Sequence, residues 1–354
     1  MAYTNIDDPS AHFQAFLYTG NGSNRTITLP GNSDLKFDLY WYKQRSQTGH
    51  HRMFDTSRGL SLELYPDLNA ADSAATYFNN QQANSFDIIA NDSATNTGGV
   101  TFANWQWKAN GGTTSTNTDG DIDSTVQANT DAGFSIITYT ASGTTNHTIG
   151  HGLGVEPDIA IFKRTSVANG NWDVQHNDGA PGPITVPFRN TLNLTDGTAT
   201  NVLSSFSSST IGLSTGGDAQ KNISGSTYVC YAFKAVQGYS KFGTYYGNAS
   251  TDGQFVYLGF KPALVIYKVL SDPNHGWSMI DSKRSPSNLM NDDIFANSSD
   301  AEVTNQNKID FLSNGFKCRG STYPANAGGT NSFSYFAWAE NPFVTSTGVP
   351  TTAR

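Results

Sequence analysis

Pro262-Ala-Leu-Val-Ile-Tyr-Lys268 is a short apolar run that ends on a lysine. The chain repeats this run as Pro157-Asp-Ile-Ala-Ile-Phe-Lys163 and, more loosely, as Phe37-Asp-Leu-Tyr-Trp-Tyr-Lys43. An unbroken apolar run of this length is typical of a strand that is buried on both faces, and it is too short for a helix. Three copies predict that the chain contains three versions of one structural unit.

The sequences around the three runs repeat as well. Each run follows an aromatic strand whose tyrosine (Tyr18, Tyr139 or Tyr245) precedes the lysine by nearly the same number of residues. Each unit closes with a second aromatic strand: Phe102–Trp107, Tyr228–Phe233 or Phe333–Trp338. Large rings two residues apart in these closing strands point to one face of a sheet, and we expect them to anchor the core of each unit.

The composition favours the same fold class. Of 354 residues, 14% are charged and 12% are aromatic, and Gly, Ser, Thr and Asn are abundant. An average soluble protein has roughly a quarter of its residues charged. Many rings and many turn-forming residues favour strands that are joined by polar turns. We therefore predict an all-β chain of three tandem antiparallel β-sandwich units, with a jelly roll as one guess for the strand order.

The repeat also predicts the division of the chain. We expect the following segments: an N-terminal arm 1–11, a first unit 12–108, a polar linker 109–131, a second unit 132–235, a third unit 236–343 and an extended C-terminal tail 344–354.

Charge and cysteine content argue against several classes of protein. The net charge of −8 and the isoelectric point near 5.2 disfavour a nucleic-acid-binding protein. Cys230 and Cys318 occupy different positions of the repeat, so we expect two free thiols and no disulfide. No stretch has the length and apolarity of a transmembrane helix, and no signal-peptide pattern is visible, so we expect no membrane insertion.

Alternating acidic residues mark one candidate metal site. In Asn117-Thr-Asp119-Gly-Asp121-Ile-Asp123, oxygen ligands at every second position resemble the start of a calcium loop. The glycine is misplaced for the EF-hand pattern, and no glutamate follows at position twelve. We favour a solvated linker over a calcium site here, and the alternative stays open.

His147 and His151 form an i, i+4 pair, a spacing that binds metal when it lies on a helix. The intervening Thr148-Ile-Gly150 disfavours a helix, and no third ligand is evident. We interpret both histidines as turn or strand-edge residues.

Basic and acidic residues recur after the central runs. Lys43, Asp55 and Arg58 in the first unit correspond to Lys268, Asp281 and Arg284 in the third, and the first unit adds Arg45. These positions are compatible with an anion or carbohydrate pocket. Because His176 replaces the aspartate in the second unit, we favour a structural ion pair at a sheet edge.

Catalytic motifs are absent from the sequence. There is no Gly-x-Ser-x-Gly, no His-Glu-x-x-His and no phosphate-binding glycine loop, and no spacing indicates two converging carboxylates. We expect a protein without catalytic residues, bound metal or cofactor, and the sequence indicates no specific binding residues.

Several motifs resemble repeats in tail-fibre-like proteins of marine bacteriophages. They are the pattern Tyr-Thr-Gly-Asn-Gly-Ser, Ala132-Gly-Phe-Ser-Ile-Ile-Thr-Tyr139, His151-Gly-Leu-Gly154, Gly238-Tyr-Ser-Lys-Phe-Gly243, and Glu340-Asn-Pro-Phe343 with the ending Gly348-Val-Pro-Thr-Thr-Ala-Arg354. The resemblance extends from about residue 12 to the end. The first unit departs most, with Phe37 at the proline position.

The resemblance implies a non-catalytic structural protein of a phage particle, a tail fibre or tail-associated protein that contributes to host attachment. It would be made in the host cytoplasm and lie on the virion surface, at the tail. We expect other virion proteins as partners, a host surface glycan or receptor as ligand, and homotrimerisation. A capsid decoration protein and a carbohydrate-binding module are the alternatives, followed by a glycan-degrading enzyme.

Overall fold

A computed structural model describes residues 4–89, 94–177, 188–195, 204–213, 220–272, 274–322, 324–329 and 331–351. These residues form strands and irregular segments, and their one helical element is a 3₁₀ turn, Pro9–Ala11. The ladders between the strands are antiparallel. The predicted all-β, sandwich-like class is confirmed. No helix in these ranges has the length and apolarity needed to cross a lipid bilayer.

The first part of the chain forms two sheets and a short strand pair. Its strands are β1 (Phe13–Thr19), β2 (Arg25–Thr28), β3 (Leu39–Gln44), β4 (Arg52–Asp55), β5 (Leu62–Glu63), β6 (Ser73–Ala74), β7 (Phe78–Asn79), β8 (Ser85–Ile88) and β9 (Thr101–Trp107). Large sheet 1 has the order β1-β9-β3-β4, and small sheet 1 has the order β2-β8-β7. β5 pairs with β6.

The middle of the chain forms a wider sheet. Its strands are β10 (Ser115–Asn117), β11 (Ser124–Asn129), β12 (Phe134–Thr140), β13 (Thr148–Gly150), β14 (Ile159–Arg164), β15 (Asp173–His176), β16 (Phe188–Thr191), β17 (Thr210–Gly212) and β18 (Thr227–Phe233). Large sheet 2 has the order β10-β11-β12-β18-β14-β15-β16, and β13 pairs with β17 to form small sheet 2.

The last part of the chain again forms one larger and one smaller sheet. Its strands are β19 (Ser240–Tyr246), β20 (Phe255–Tyr257), β21 (Phe260–Val269), β22 (Ser278–Asp281), β23 (Ile294–Phe295), β24 (Ile309–Leu312), β25 (Gly315–Cys318) and β26 (Ser332–Pro342). Large sheet 3 has the order β19-β26-β21-β22-β23, and small sheet 3 has the order β20-β25-β24.

Strand order is the same in the centre of the three large sheets. In each, the closing strand lies between the opening strand and the central strand, and the next strand pairs with the free edge of the central one. The closing strand therefore bonds on both sides, for example β26 with β19 and with β21. Because both faces of the central strand are also covered, its side chains are buried throughout β3, as predicted.

The two faces of each large sheet pack against different cores. In β21, Val265 and Tyr267 point into a local core between large sheet 3 and small sheet 3. Leu264 and Ile266 point the other way, into a core that all three large sheets share. β3 follows the same alternation, since Leu39 belongs to the shared core and Tyr40 to a local one.

One pair of rings from each closing strand anchors the shared core rather than a core within each predicted unit. Trp105 and Trp107, Tyr231 and Phe233, and Phe336 and Trp338 all belong to it. Trp107 and Trp338 meet edge to face with ring centroids 5.2 Å apart, and Phe233 lies 5.5 Å from Trp338. The prediction of one shared face was correct, but the sequence does not reveal that the three faces meet each other.

The predicted polar linker 109–131 contains two strands. β10 and β11 extend large sheet 2, with β11 paired along its whole length to β12 and β10 paired to β11. Val126 of β11 is buried in the local core beside large sheet 2. The sequence did not reveal these two strands, because they are polar and contribute few apolar side chains to a core.

The N-terminal arm packs against the rest of the chain, and the C-terminal tail is not extended as predicted. In the arm, Ile6 is part of the shared core and the Thr4 hydroxyl donates to the Gln237 carbonyl oxygen at 2.9 Å. In the tail, Thr345 N–H donates to Val349 O at 2.9 Å, so the chain folds back on itself. Residues 1–3 and 352–354 of these predicted segments lie outside the described residues.

Candidate functional site

The three repeated lysines are buried structural groups. Lys163 donates to the Gly170 carbonyl oxygen at 2.7 Å, and Lys268 donates to that of His275 at 2.6 Å. Lys43 donates to Gln44 O and, across to the last part of the chain, to Asp300 O at 2.7 Å. Burial lowers the pKa of Lys163 to about 7 and the pKa of Lys43 to about 8. Each ammonium therefore ties a loop to the end of its central strand.

The repeated Asp and Arg positions form buried ion pairs. Arg58 Nε lies 2.6 Å from Asp55 Oδ2, and Arg284 Nε lies 2.6 Å from Asp281 Oδ2. Both aspartates also accept a backbone N–H from the arginine of the same pair, which closes a tight turn. These contacts match the interpretation as structural ion pairs.

The same carboxylates connect one large sheet to the next. Trp105 Nε1–H of large sheet 1 donates to Asp281 Oδ2 of large sheet 3 at 3.2 Å. Tyr231 O–H of large sheet 2 donates to Asp55 Oδ2 of large sheet 1 at 2.8 Å.

The corresponding third contact joins large sheet 3 to large sheet 2. There Phe336 packs on His176, with ring centroids 5.2 Å apart, and the Ser334 hydroxyl lies 3.3 Å from His176 Nε2. The contacts therefore run from sheet 1 to 3, from 3 to 2 and from 2 to 1, which closes a ring.

A second set of hydrogen bonds follows the same ring. Trp172 Nε1–H donates to Tyr65 O at 2.8 Å, and Trp277 Nε1–H donates to Thr191 O at 2.9 Å. At the corresponding position large sheet 1 has His51, whose Nε2 lies 3.0 Å from Phe295 O. Because Trp41 Nε1–H donates to His51 Nδ1, the ring proton of His51 is on Nε2.

Side-chain oxygens support these three residues at matching positions. The backbone N–H groups of Trp172 and Trp277 donate to the amide oxygens of Asn193 and Asn297 at 2.8 and 2.9 Å. His51 N–H donates to Asp67 Oδ1 at 3.1 Å. These acceptors, Asn193, Asn297 and Asp67, each lie two residues after one of the carbonyl acceptors in the second set, Thr191, Phe295 and Tyr65 respectively. The junctions therefore share one local geometry.

The acidic residues 119, 121 and 123 do not converge on a cation site. Asp121 Oδ2 accepts from the Thr148 backbone N–H at 3.0 Å, whereas the Asp119 N–H donates to the Asn117 side chain at 3.0 Å. Among the described residues, no three Asp, Glu, His or Cys side chains cluster as metal ligands.

The two predicted turn or strand-edge histidines flank β13, in agreement with that interpretation. His147 Nδ1 lies 2.9 Å from the Ser142 hydroxyl. His151 Nδ1 accepts from the Leu153 N–H at 3.2 Å, and its Nε2 lies 3.2 Å from Ser207 O. Their partners are thus Ser and backbone groups.

Both cysteines are free, as predicted, and the structure shows that both are buried. Burial raises the pKa of the Cys318 thiol to about 12 and that of Cys230 well above its usual value. A thiol that stays protonated is a poor nucleophile, so neither cysteine is suited to covalent chemistry.

An open groove beside small sheet 3 was not predicted from the sequence. It has a volume of about 360 Å³ and is lined by Ala235, Gln237, Ser240, Lys241, Tyr257, Leu258, Gly259, Phe343 and Val344. Tyr257 is 55% exposed, and Phe255, two residues before it on the same face of β20, is 37% exposed. Lys241 Nζ donates to Tyr257 O at 2.7 Å and lies 5.3 Å from the centre of its ring.

Two larger grooves have a different character. One, of about 580 Å³, contains Lys261 and Lys283, which pair with Glu340 at 2.7 and 3.3 Å. The other, of about 650 Å³, is lined largely by the N-terminal arm and by Asp131 and Lys234. The groove at Tyr257 differs from both because a largely exposed ring forms its wall.

The chain matches one known family along most of its length. The family is described as "Domain of unknown function (DUF7483)", and the match covers residues 8–342. No curated protein and no solved structure matches the chain.

Proposed function

The chain belongs to the DUF7483 family, and we propose that it is a structural protein of a bacteriophage particle. In this proposal it is a non-catalytic tail fibre or tail-associated protein that contributes to host attachment. The observation that carries the proposal is the ring of three large sheets, whose closing-strand rings and buried polar groups hold the sheets to each other. The resemblance of its motifs to tail-fibre-like phage proteins supports the same role.

We interpret the three parts of the chain as copies of one β-sandwich unit, related by a pseudo-threefold axis. The common strand order and the recurring bonds of Tyr18, Tyr139 and Tyr245 support this interpretation. Each of these hydroxyls donates to a backbone carbonyl oxygen, that of Thr95, Lys221 or Ala325. The residue after each acceptor is an asparagine whose side chain caps the loop that follows the tyrosine.

Three copies in one chain also suggest how the protein is placed in a particle. A closed ring of three similar units presents a threefold pattern, as a trimer of separate chains does. Such a shape is suited to the end or the shaft of a threefold fibre. Homotrimerisation, expected from the sequence, and a single-chain pseudo-trimer are therefore alternatives, and the intrachain ring favours the second. Light scattering separates them, since a mass near 38.1 kDa would contradict a homotrimer.

The position in the particle is tested by labelling. Particles purified from the lysate of a host that produces the chain are probed with antibodies raised against it. We expect label at the tail and peptides of the chain in the digest of the purified particles. Label on the head would instead support a capsid decoration protein. Absence of its peptides from the particles would contradict the virion role.

A carbohydrate-binding module is the second candidate, and the groove at Tyr257 favours it. An exposed ring beside hydrogen-bonding groups is a common feature of ligand sites. This candidate and the virion role are compatible, because an attachment protein has to recognise a host surface.

A further inference from the structure

We propose that the groove at Tyr257 binds an acidic sugar ring of a surface polysaccharide. The inference rests on the proposed role in host attachment, and it names the site and the chemical class of the ligand. It starts from Tyr257 and Phe255, which lie on the outer face of the edge strand β20. Opposite Tyr257 in the ladder lies Gly315, which carries no side chain that could cover the tyrosine ring.

The strands β2 and β13, which correspond to β20 in the other two parts of the chain, show that the exposed rings are particular to β20. The middle residues of β2, β13 and β20 are the buried Ile27, Ile149 and Val256. On either side of them, β2 carries Thr26 and Thr28, β13 carries Thr148 and Gly150, and β20 carries Phe255 and Tyr257. β2 and β13 thus take part in the same fold without aromatic side chains at these places. The exposed pair on β20 is therefore not required by the fold.

The floor of the groove differs in the same way. Lys241 corresponds to Gln14 and Ser135, each four residues before the tyrosine of its opening strand. A loop covers the side chain of Gln14, which donates to Ser33 O at 3.1 Å and accepts from Gly31 N–H at 2.9 Å. Ser135 is fully buried. Lys241 instead reaches an open groove.

The chemistry of the lining indicates the ligand class. The ring faces of tyrosine and phenylalanine carry partial negative charge, and the C–H groups on one face of a pyranose pack against such faces. Gln237, which is exposed, lines the same groove as Tyr257 and offers a side-chain amide for hydrogen bonds. Among the described residues that line the groove, Lys241 alone is charged, although the whole chain carries a net charge of −8. A positively charged, aromatic groove on an acidic protein is complementary to a sugar that bears a carboxylate.

The experiment uses the full chain and two sugars that differ only at C6, methyl β-D-glucuronide and methyl β-D-glucoside. Saturation-transfer NMR detects binding, and titration gives the dissociation constants. We expect saturable binding of both sugars, with the glucuronide several-fold tighter at low salt and the difference smaller at high salt. Failure of both sugars to saturate, or equal affinity for the two, would overturn the proposal.

Three variants locate the site. Tyr257→Thr introduces the residue found at position 28, and we expect it to weaken both sugars by roughly tenfold. Lys241→Gln introduces the residue found at position 14 and should remove the preference for the glucuronide. Tyr246→Thr makes the same exchange at an exposed tyrosine outside the groove, and it should leave both constants unchanged. Equal losses in the two tyrosine variants would contradict the assignment.

The outcome is independent of the test for the virion role. A chain that is present in particles but binds neither sugar retains the attachment role and loses this site. A chain that binds the glucuronide but is absent from particles retains the site and loses the virion role.

Discussion

His176 occupies a position where large sheets 1 and 3 have an aspartate, and its surroundings are apolar. Its ring stacks on Phe188 with centroids 4.0 Å apart, and its Nδ1 has no hydrogen-bond partner among the described residues. Burial lowers the pKa of His176 to about 3. Burial likewise lowers the pKa of His51 and of His151. All three histidines are therefore neutral in the folded protein at neutral pH.

These histidines predict a loss of stability in mild acid. The unfolded chain takes up a proton near pH 6.5, whereas folded His176 stays neutral down to about pH 3. The contribution of neutral His176 to the unfolding free energy is thus complete above pH 6.5, and it falls as the pH drops from 6.5 towards 3. For His176 the decrease between pH 7 and pH 5 is about 2 kcal/mol of unfolding free energy.

Urea unfolding at the two pH values measures this change. His176→Gln removes the titrating group, so the drop in unfolding free energy should be about 2 kcal/mol smaller in the variant than in the original chain. The variant is allowed to be less stable at both pH values, because the readout is the change in unfolding free energy between them. If that change is the same in the variant and in the original chain, the prediction is contradicted.

The buried ion pairs give a second prediction at the scale of residues. Asp281→Ala removes the acceptor of Trp105 Nε1–H and one of the two carboxylates that pair with Arg284. We expect a loss of about 3–5 kcal/mol, because a buried guanidinium keeps only one of these two carboxylates, Glu302. Denaturant unfolding measures it.

The matched control is a surface ion pair. Asp252, which is 82% exposed, pairs with Lys317, and Asp252→Ala should leave the unfolding midpoint unchanged because solvent screens this pair. A loss below about 1 kcal/mol in Asp281→Ala would mean that Glu302 is sufficient to hold Arg284.

At the scale of elements, each central strand contributes to two cores by alternation. Ile266 points into the shared core and Val265 into the local core of large sheet 3, although they are neighbours on β21. Ile266→Ala should therefore loosen all three large sheets, at a cost of about 2–5 kcal/mol. Val265→Ala should loosen large sheet 3 and small sheet 3.

Hydrogen exchange distinguishes the two variants. After Ile266→Ala we expect faster exchange of amides in β3, β14 and β21. After Val265→Ala we expect the increase in β21 and in the strands of small sheet 3. Identical exchange patterns would contradict a division into shared and local cores.

The same alternation explains what could be read from the sequence. Apolar runs such as Pro262–Lys268 and ring pairs such as Trp105 and Trp107 identify strands and faces, because side-chain direction has a period of two. β10 and β11 were missed because their polar residues follow no such period. Backbone hydrogen bonds hold them, from β11 to β12 and from β10 to β11. Local pattern reveals a strand only where its side chains enter a core.

The candidate sites follow a similar rule. The Asp281–Arg284 pair could be predicted because its partners are three residues apart. The bond of Trp105 to Asp281 could not, since the two are 176 residues apart and meet only when the sheets assemble. The groove at Tyr257 likewise joins β20 to Phe343, near the end of the chain.

At the scale of the whole molecule, the shared core makes the three large sheets interdependent. Each sheet covers the inner faces of the other two, and its removal would expose rings such as Trp107 and Trp338 to water. We expect calorimetry to show one cooperative unfolding transition for the full chain, because no sheet keeps its buried surface once another has left. Three resolved transitions would contradict this coupling.

The ring of sheets lies within one chain, and this has a consequence for valency. In a homotrimer every substitution appears three times, so a binding groove would also appear three times. Here Thr28 of β2 and Gly150 of β13 stand where β20 of small sheet 3 has Tyr257, so the described residues of each molecule form one copy of the groove. Strong attachment through weak sugar contacts then requires several protein molecules side by side that bind the same surface together. One molecule cannot reach the same avidity by binding at three grooves of its own.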